Sequence, residues 1–549
     1  MSNLNWGSGL ANETLVAGLA CFKEMQLYSS PVKMILSSAL LFGTWRIYVV
    51  FRGRQVYGQP DITTLFRPMS LFGMIFGMGI TWNWEDRETA YSNGKETIRM
   101  TPWIWGDTIL YTRSLDILRQ VAGGGSNRIW VKPDWASGAL MLFGRNLISE
   151  NLESWRRHRR VMQPAFNAKT YDLVWTETTK IYQDMVKTEN WPTSPGERVS
   201  LESFNKLTYK LGLYVIIACG FGLPFRWAEP PKSTEGSKSV QDNIVTVEKW
   251  ALLLIMTPKW LFKLPFKKLQ NIYEEYESIK SFIREEVAIR RSKIREAVDM
   301  GEVDREAAVQ FDVFSRLVLA NETADSKSGL SDEELIGNTF ALLFAGHDTT
   351  ASTVAAVVAL LALHPSEQRK VHEEVMNVLR EDGALTLSSY SKLTYTLYCF
   401  LEASRMFPAG HVAIRTCLED TVIDIPSTKE TDSPTRLVLP KNSEVIVDMV
   451  GLHYSPHIFK DPTEFLPSRW KDMNEETFST FSTGPRACIG KKFALTEALC
   501  VLSNLVKDWE IEPCLKSGET LEGWKQRVLD VHVTLTLGIK DVPVTLIRR

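Results

Sequence analysis

The sequence offers no close set of metal-ligating cysteines: Cys488 has no cysteine nearer than Cys500, so the C-x(2-4)-C spacing of a structural zinc site is missing around it. Its seven cysteines are odd in number and follow no pairing pattern. That argues against a disulfide scaffold and for catalytic machinery in a reducing compartment. An excess of charge is also lacking. Lys plus Arg is 63 against 65 for Asp plus Glu, a formal charge of -2, so nothing in the balance calls for a nucleic-acid partner. There is no internal repeat, no long low-complexity tract and no G-x-G-x-x-G run of a fused dinucleotide-binding domain.

A clean membrane span is wanting too. Val32 to Phe51 is largely apolar, but Lys33 and Arg46 interrupt it, so it falls short of about 20 apolar residues. The flank Arg52-Gly53-Arg54 would face the cytosol by the positive-inside rule, leaving the N-terminus lumenal with Asn12 as a candidate glycosylation acceptor. Met69 to Trp82, broken at Ser70, Gly73, Gly77 and Gly79, reads as an interfacial or core segment. The start carries no charged-apolar-small pattern of a cleaved signal peptide. The expectation is an anchor region over 1-60 and one large domain over 61-549.

What is present suits a big core, with 44% apolar residues in 549. Thr97 to Met100 and Thr108 to Thr112 read as a strand pair, Ser114 to Val121 as a short helix and Gly123 to Ser126 as a loop. Between Ser200 and Lys327 the pattern is mostly helical, with a break at Gly222 to Lys238. Trp250 to Phe266 is unusually apolar and aromatic, and fits either core or a membrane interface. A long apolar helix runs from Asp332 to Leu363.

Four stretches carry chemistry. Phe481 to Gly490 reads F-S-T-G-P-R-A-C-I-G. Taken alone, Cys488 reads first as a buried free cysteine. Gly484 and Gly490, however, let the backbone bend around a flat ligand, Arg486 offers a fork to a carboxylate, and the helix after it would aim N-H groups at the sulfur. One thiolate suffices for a metal when a macrocycle supplies the other ligands. Trp155 and Arg159 share a helix face in W-R-R-H-R-R, a run that could also be a solvated basic helix. Ala345-Gly346-His347-Asp348-Thr349-Thr350 puts polar groups and a glycine inside an apolar helix, where a glycine costs about 1 kcal/mol against alanine. There Thr349 can bond a carbonyl in the preceding turn, and His347 is an axial ligand, a proton carrier or simply packed. Glu402 and Arg405 form an i, i+3 pair, a weak signal alone.

Together these stretches resemble the cytochrome P450 family: F-x-x-G-x-R-x-C-x-G at Phe481, Gly484, Arg486, Cys488 and Gly490, W-x-x-x-R at Trp155 and Arg159, A-G-x-D-T-T at Ala345 to Thr350, E-x-x-R at Glu402 and Arg405, and F-x-P-x-R-W at Phe465 to Trp470. The resemblance covers about residues 90 to 549. Leu142 to Leu147 and His453 to Pro456 look most like fungal, membrane-bound members. It implies a mainly α fold with small β-sheets (α+β), haem b (iron protoporphyrin IX) lying between the long central helix and the Cys-loop helix.

Within it, Cys488 is the axial iron ligand, Trp155 and Arg159 bond a propionate, and Gly346 opens room for dioxygen. Thr349 bonds the dioxygen, Asp348 brings in protons, and Glu402, Arg405 and Arg469 form a structural charge triad. Phe340, Phe344, Val412, Ile414 and Leu537 are candidate substrate-pocket residues. The implied activity is monooxygenation (EC 1.14) of a hydrophobic small molecule with O2 and electrons from NADPH, through a separate NADPH-cytochrome P450 reductase docking near Arg156, Arg157, Lys491 and Lys492. It would take place on the cytosolic face of the endoplasmic reticulum. A terpenoid-type secondary metabolite is the favoured substrate, with sterols, fatty acids and xenobiotics as alternatives. A reductase-independent isomerase or dehydratase and a non-catalytic haem carrier are the rival readings. The Pro-rich hinge often found after the anchor is lacking, since Arg54 to Pro68 holds only Pro60 and Pro68.

Overall fold

A computed structural model describes residues 31–549 apart from 69, 71, 74–78, 80, 93, 123–128, 138–140, 224–225, 229–239, 251–252, 255–256, 300–311, 323–328, 427–433, 475–476 and 534–535. Asn12, the glycine loop at 123–126 and most of the break at 222–238 therefore lie outside the described residues. The chain forms two compact units: residues up to Gln120 with Thr416–Leu452, and Val121–Arg415 with His453–Arg549.

The first unit is built on a sheet. α1 (Pro31–Tyr57) precedes β1 (Ile62–Phe66), β2 (Thr97–Trp105), β3 (Ile109–Thr112) and β4 (Glu444–Asp448), which lie in the order β1-β2-β3-β4. β2 and β3 pair antiparallel, Thr97 opposite Thr112, whereas β1–β2 and β3–β4 are parallel. The strand pair is where the sequence puts it, but β2 continues through Pro102 to Trp105.

Arg46 receives a different account. It is not a lipid-facing break. Its guanidinium is buried and donates to the carbonyls of Pro102 at 2.6 Å, Trp103 at 3.0 Å and Gly106 at 3.0 Å, satisfying the β2–β3 turn. The lower part of α1 is thus fastened to the sheet, and Tyr57 bonds Ser443 at 2.6 Å.

The second unit is mainly helical: α2 (Leu152–Met162), α3 (Ala168–Thr188), α4 (Phe204–Phe221), α5 (Lys267–Asp299), α6 (Asp332–Leu363), α7 (Thr394–Met406) and α8 (Lys491–Asp508). Small sheets complete it, including the strands Arg198–Leu201, Trp509–Pro513 and Val544–Arg548 and the hairpin Val531–Val533 with Leu537–Ile539. α6 runs over the same residues that its apolar pattern predicts. It begins on a capping box in which the Ser331 side chain accepts from the Glu334 N–H and Glu334 answers back. Its length and hydropathy would allow a membrane crossing, yet it is mostly buried in the protein.

Close approach at α6 depends on glycine. A Cβ at Gly337 would stand 2.5 Å from the Arg145 carbonyl oxygen, and one at Gly144, whose φ is +130°, would stand 2.6 Å from that of Glu333. Gly346 adds a packing constraint to its expected role: where its Cβ would go lies Ile216 of α4, 2.7 Å away, so this glycine admits the neighbouring helix.

Candidate active site

From Leu335 to Ala362 the side chains of α6 are buried, with four exceptions: Leu342, Ala345, Gly346 and Thr349 are partly open. At 3.6 residues per turn these four fall on one face. The apolar core is therefore interrupted by a single open stripe, and Thr349 is its only hydroxyl. The Thr349 hydroxyl donates to the Ala345 carbonyl at 2.9 Å. Asp348, buried beside the stripe, accepts from the Thr536 hydroxyl, which brings the C-terminal hairpin to this helix. His347 is packed, its Nδ1 2.9 Å from the Leu343 carbonyl, and burial holds its pKa below the ordinary value.

Of the pocket candidates, Val412 and Ile414 are half-buried on the strand Val412–Cys417. Leu537 is buried, and its N–H donates to the Ala409 carbonyl at 3.0 Å. Phe340 and Phe344 do not join the open stripe. They lie on the opposite face of α6, buried, with ring centroids 6.0 Å apart and Phe340 stacked on Phe143 at 3.9 Å. The aromatic pair is thus turned away from the face left free for a ligand.

The loop before α8 is closed by the Cys488 N–H donating to the Phe481 carbonyl at 2.9 Å. Phe481 packs on Phe478 at 5.7 Å, and Gly484 takes φ +68°. Cys488 is exposed at the surface of the loop, yet closely surrounded by protein. That enclosure pushes the thiol pKa up, and the N–H groups of Gly490 and Lys491 and the charge of Arg159 act against it. A Cβ at Gly490 would come 3.9 Å from the sulfur.

Around this loop stand more cations than partners. Arg159 donates to the Ala487 carbonyl at 3.1 Å. Arg486 lies over the Trp155 ring at 4.7 Å and donates to the Glu150 carbonyl at 2.6 Å and the Asn151 side chain at 3.0 Å. Its second terminal nitrogen, Nη1, is buried without a partner. Two further cations, which no motif flagged, converge here. Lys132 is pulled down to about 7 by burial and by the charges of Arg415 and Arg486, and Arg415 is pulled to about 10 by burial. Arg486 is likewise lowered to about 10 by burial and Arg415, with Glu150 opposing. Their signal in the sequence was weak: Lys132 and Arg415 belong to no spaced pattern and meet only through the fold.

This donor set fits haem on the chain's own evidence. A buried, unsatisfied guanidinium among mutually repelling cations calls for an anion, and an open thiolate with N–H groups aimed at it calls for a metal. Two propionates would bond Arg486, Lys132, Arg415, Trp155 and Arg159, with Cys488 on the iron.

α2 is fixed against α6 by a buried network. His158 Nδ1 is 2.7 Å from the Asn338 amide, Asn338 accepts from the Leu147 N–H at 2.8 Å, and Arg157 pairs with Glu334. Arg157, about one third exposed, is thus paired with Glu334 and offers no spare charge to the expected docking patch. Arg156 stays at the surface beside Glu153, and Lys491 and Lys492 lie over Phe478 and Tyr390.

Behind the loop, Glu402 receives Arg405 at 2.9 and 3.1 Å, Arg469 at 2.9 Å and the Trp470 indole at 2.9 Å. Glu402 and Arg405 are fully buried, and Arg405 also donates to the carbonyls of His453 and Pro462 at 2.8 Å. Among the described residues no group of His, Cys, Asp and Glu could hold a metal ion unaided.

Residues 100–529 match the family described as Cytochrome P450. The protein "Cytochrome P450 monooxygenase 124" of Postia placenta is 32% identical over 418 residues, 75% of this chain and 78% of its own length. "Cytochrome P450 monooxygenase ORF6" of Penicillium roqueforti is 25% identical, covering 82% of this chain and 83% of the relative. "Cytochrome P450 4A10" of Rattus norvegicus is 27% identical, covering 67% and 70%.

Proposed function

Because this chain belongs to the cytochrome P450 family and is a haem-thiolate monooxygenase, we propose that it inserts one oxygen atom into a hydrophobic small molecule: RH + O2 + NADPH + H⁺ gives ROH + H2O + NADP⁺. When bound, haem supplies dioxygen activation, which a thiolate ligand favours. The chain's own residues do the rest. Cys488 ligates the iron, and the cations around Arg486 hold the propionates. Thr349, the hydroxyl of the open stripe, would hold a proton at its Oγ1 facing the haem side, and Asp348 with Thr536 would pass one to it from the hairpin side. Substrate lies along Leu342, Ala345 and Thr349, with Val412, Ile414 and Leu537 as further walls. Electrons arrive from NADPH through a separate flavoprotein reductase that docks on Arg156, Lys491 and Lys492.

The observation that carries this reading is the open Cys488 thiol, faced by two backbone N–H groups and bordered by an unsatisfied buried guanidinium. We place the substrate among terpenoid-type secondary metabolites on the strength of the fungal relatives, and the protein in the endoplasmic reticulum membrane, with α1 as anchor and Arg52 and Arg54 on the cytosolic side. The test is the absorption spectrum of the reduced, carbon-monoxide-bound protein beside Cys488→Ser. A strongly red-shifted Soret band in wild type alone is expected, together with reductase-dependent NADPH oxidation coupled to product. A band that survives in Cys488→Ser would reject the ligand assignment, and product formed without reductase would favour the isomerase reading.

A further inference from the structure

The face of α6 turned away from the open stripe borders a second pocket. Glu333, Ile336, Phe340 and Phe344 share that face, and Glu333 and Ile336 line a cavity of about 230 Å3 whose other walls are Leu142–Gly144, Leu254, Lys259, Phe262 and one side of α5. The walls are built firmly. The Tyr276 hydroxyl donates to the Leu142 carbonyl at 3.1 Å, and Gly144 touches α6 where no side chain would fit. An unbroken aromatic row runs along this cavity: Phe262 to Tyr273 at 5.2 Å, Tyr273 to Tyr276 at 5.7 Å, Tyr276 to Phe143 at 4.9 Å and Phe143 to Phe340 at 3.9 Å.

The mouth is cationic. Lys259, Lys280 and Arg284 line it, and none of the three has an ion-pair partner among the described residues. Lys280 lies 5.8 Å from the centre of the Tyr276 ring, a weak contact that leaves its charge available. Two carboxylates are near: Glu333 on the rim, and Glu277, hydrogen-bonded to the Tyr273 hydroxyl. Three positive charges against two leave one unmatched.

We propose that this pocket is a binding site for an amphipathic monoanion, with an apolar tail along the aromatic row and a carboxylate-type head at Lys259, Lys280 and Arg284, separate from the catalytic face of α6. At the ~30 Å3 that a water-sized group occupies, the cavity takes a tail of about eight carbons. The small volume excludes a nucleotide.

The test uses the haem-loaded full chain, with an azole inhibitor filling the iron side, titrated calorimetrically with decanoate and with uncharged decanol. Saturable decanoate binding is expected to persist with the azole present. It should weaken at least tenfold in Lys280→Glu/Arg284→Glu, whose exposed or half-exposed side chains make a folding defect unlike them. Decanol binding should be equal in the two proteins, and an unchanged reduced-carbon-monoxide spectrum certifies the variant's fold. Absence of decanoate binding to the azole-loaded protein would overturn the proposal, as would equal decanoate affinity in the variant. Neither result would touch the haem-thiolate reading, which the spectrum tests by itself.

Discussion

A lysine driven toward neutrality between two arginines is expensive to keep unless an anion joins them, and Lys132 turns that into a pH prediction. In the haem-free chain burial and the neighbouring charges pull it to about 7, while a propionate beside it would return it to the ordinary basic range. Between those two values haem binding takes up a proton. Ligation by Cys488 releases its thiol proton and works the other way, so the Lys132 contribution is the ratio of wild type to Lys132→Gln: that affinity ratio should be level below pH 7 and fall as pH rises above it, by up to about tenfold per unit. Haem transfer to an acceptor protein over about pH 6 to 9, in both proteins, measures it. A ratio that does not fall above pH 7 would end the argument. Thr349 carries a second prediction at this scale. Thr349→Ala should keep NADPH oxidation but divert it to hydrogen peroxide, with product per NADPH lower by about 100-fold, while Thr349→Ser stays close to wild type. Product and peroxide assayed together decide it, and full coupling in the alanine variant would remove Thr349 from proton delivery.

At the scale of elements, a supporting role has a different signature. Glu402 holds Arg405, Arg469 and Trp470 between α7 and the segment ahead of the Cys488 loop, so Glu402→Ala leaves buried cations unpaired and should cost about 3 to 5 kcal/mol. The expected outcome is loss of haem and a lower melting temperature together, with any molecules that retain haem showing the normal red-shifted band. A stable variant with altered spectrum would instead give Glu402 a part in ligation. Gly337→Ala should destabilise by about 1 to 3 kcal/mol, because its methyl would meet the Arg145 carbonyl, and thermal unfolding reads the difference.

The sequence made α6 legible to the residue, because a long apolar period with a serine cap leaves little choice. The β2–β3 pair and the family were legible for a similar reason: each shows in local patterns. What stayed hidden was long-range. Lys132 and Arg415 reach the propionate site from distant segments, Arg157 is consumed by Glu334, and Gly346 answers to Ile216, contacts that only the packed chain defines. Phe340 and Phe344 lie across α6 from the open stripe, a placement that position in a motif helix does not reveal.

For the whole molecule the open question of attachment to a membrane turns on the first unit. From Met34 to Phe51, α1 exposes Met34, Ile35, Leu36, Leu40, Phe42, Trp45, Ile47, Tyr48 and Phe51. At 1.5 Å per residue those eighteen residues reach about 27 Å, close to the ~30 Å hydrocarbon core, but Arg46 within them is tied to the β2–β3 turn. The anchor and that turn therefore meet at the same level of the helix. The same turn presents Trp103, Ile104 and Trp105 outward, with Trp105 6.1 Å from Trp45, and Leu65 and Phe72 are exposed as well. Tryptophans at such an edge suit the headgroup layer. A chain lacking residues 1–45 should therefore still sediment with phospholipid vesicles, more weakly than the full chain, and Trp103→Ser/Trp105→Ser in that truncation should release it. If the truncation alone stays in the supernatant, α1 is the sole attachment. If the double variant sediments as strongly as its parent, the β2–β3 turn has no share in it.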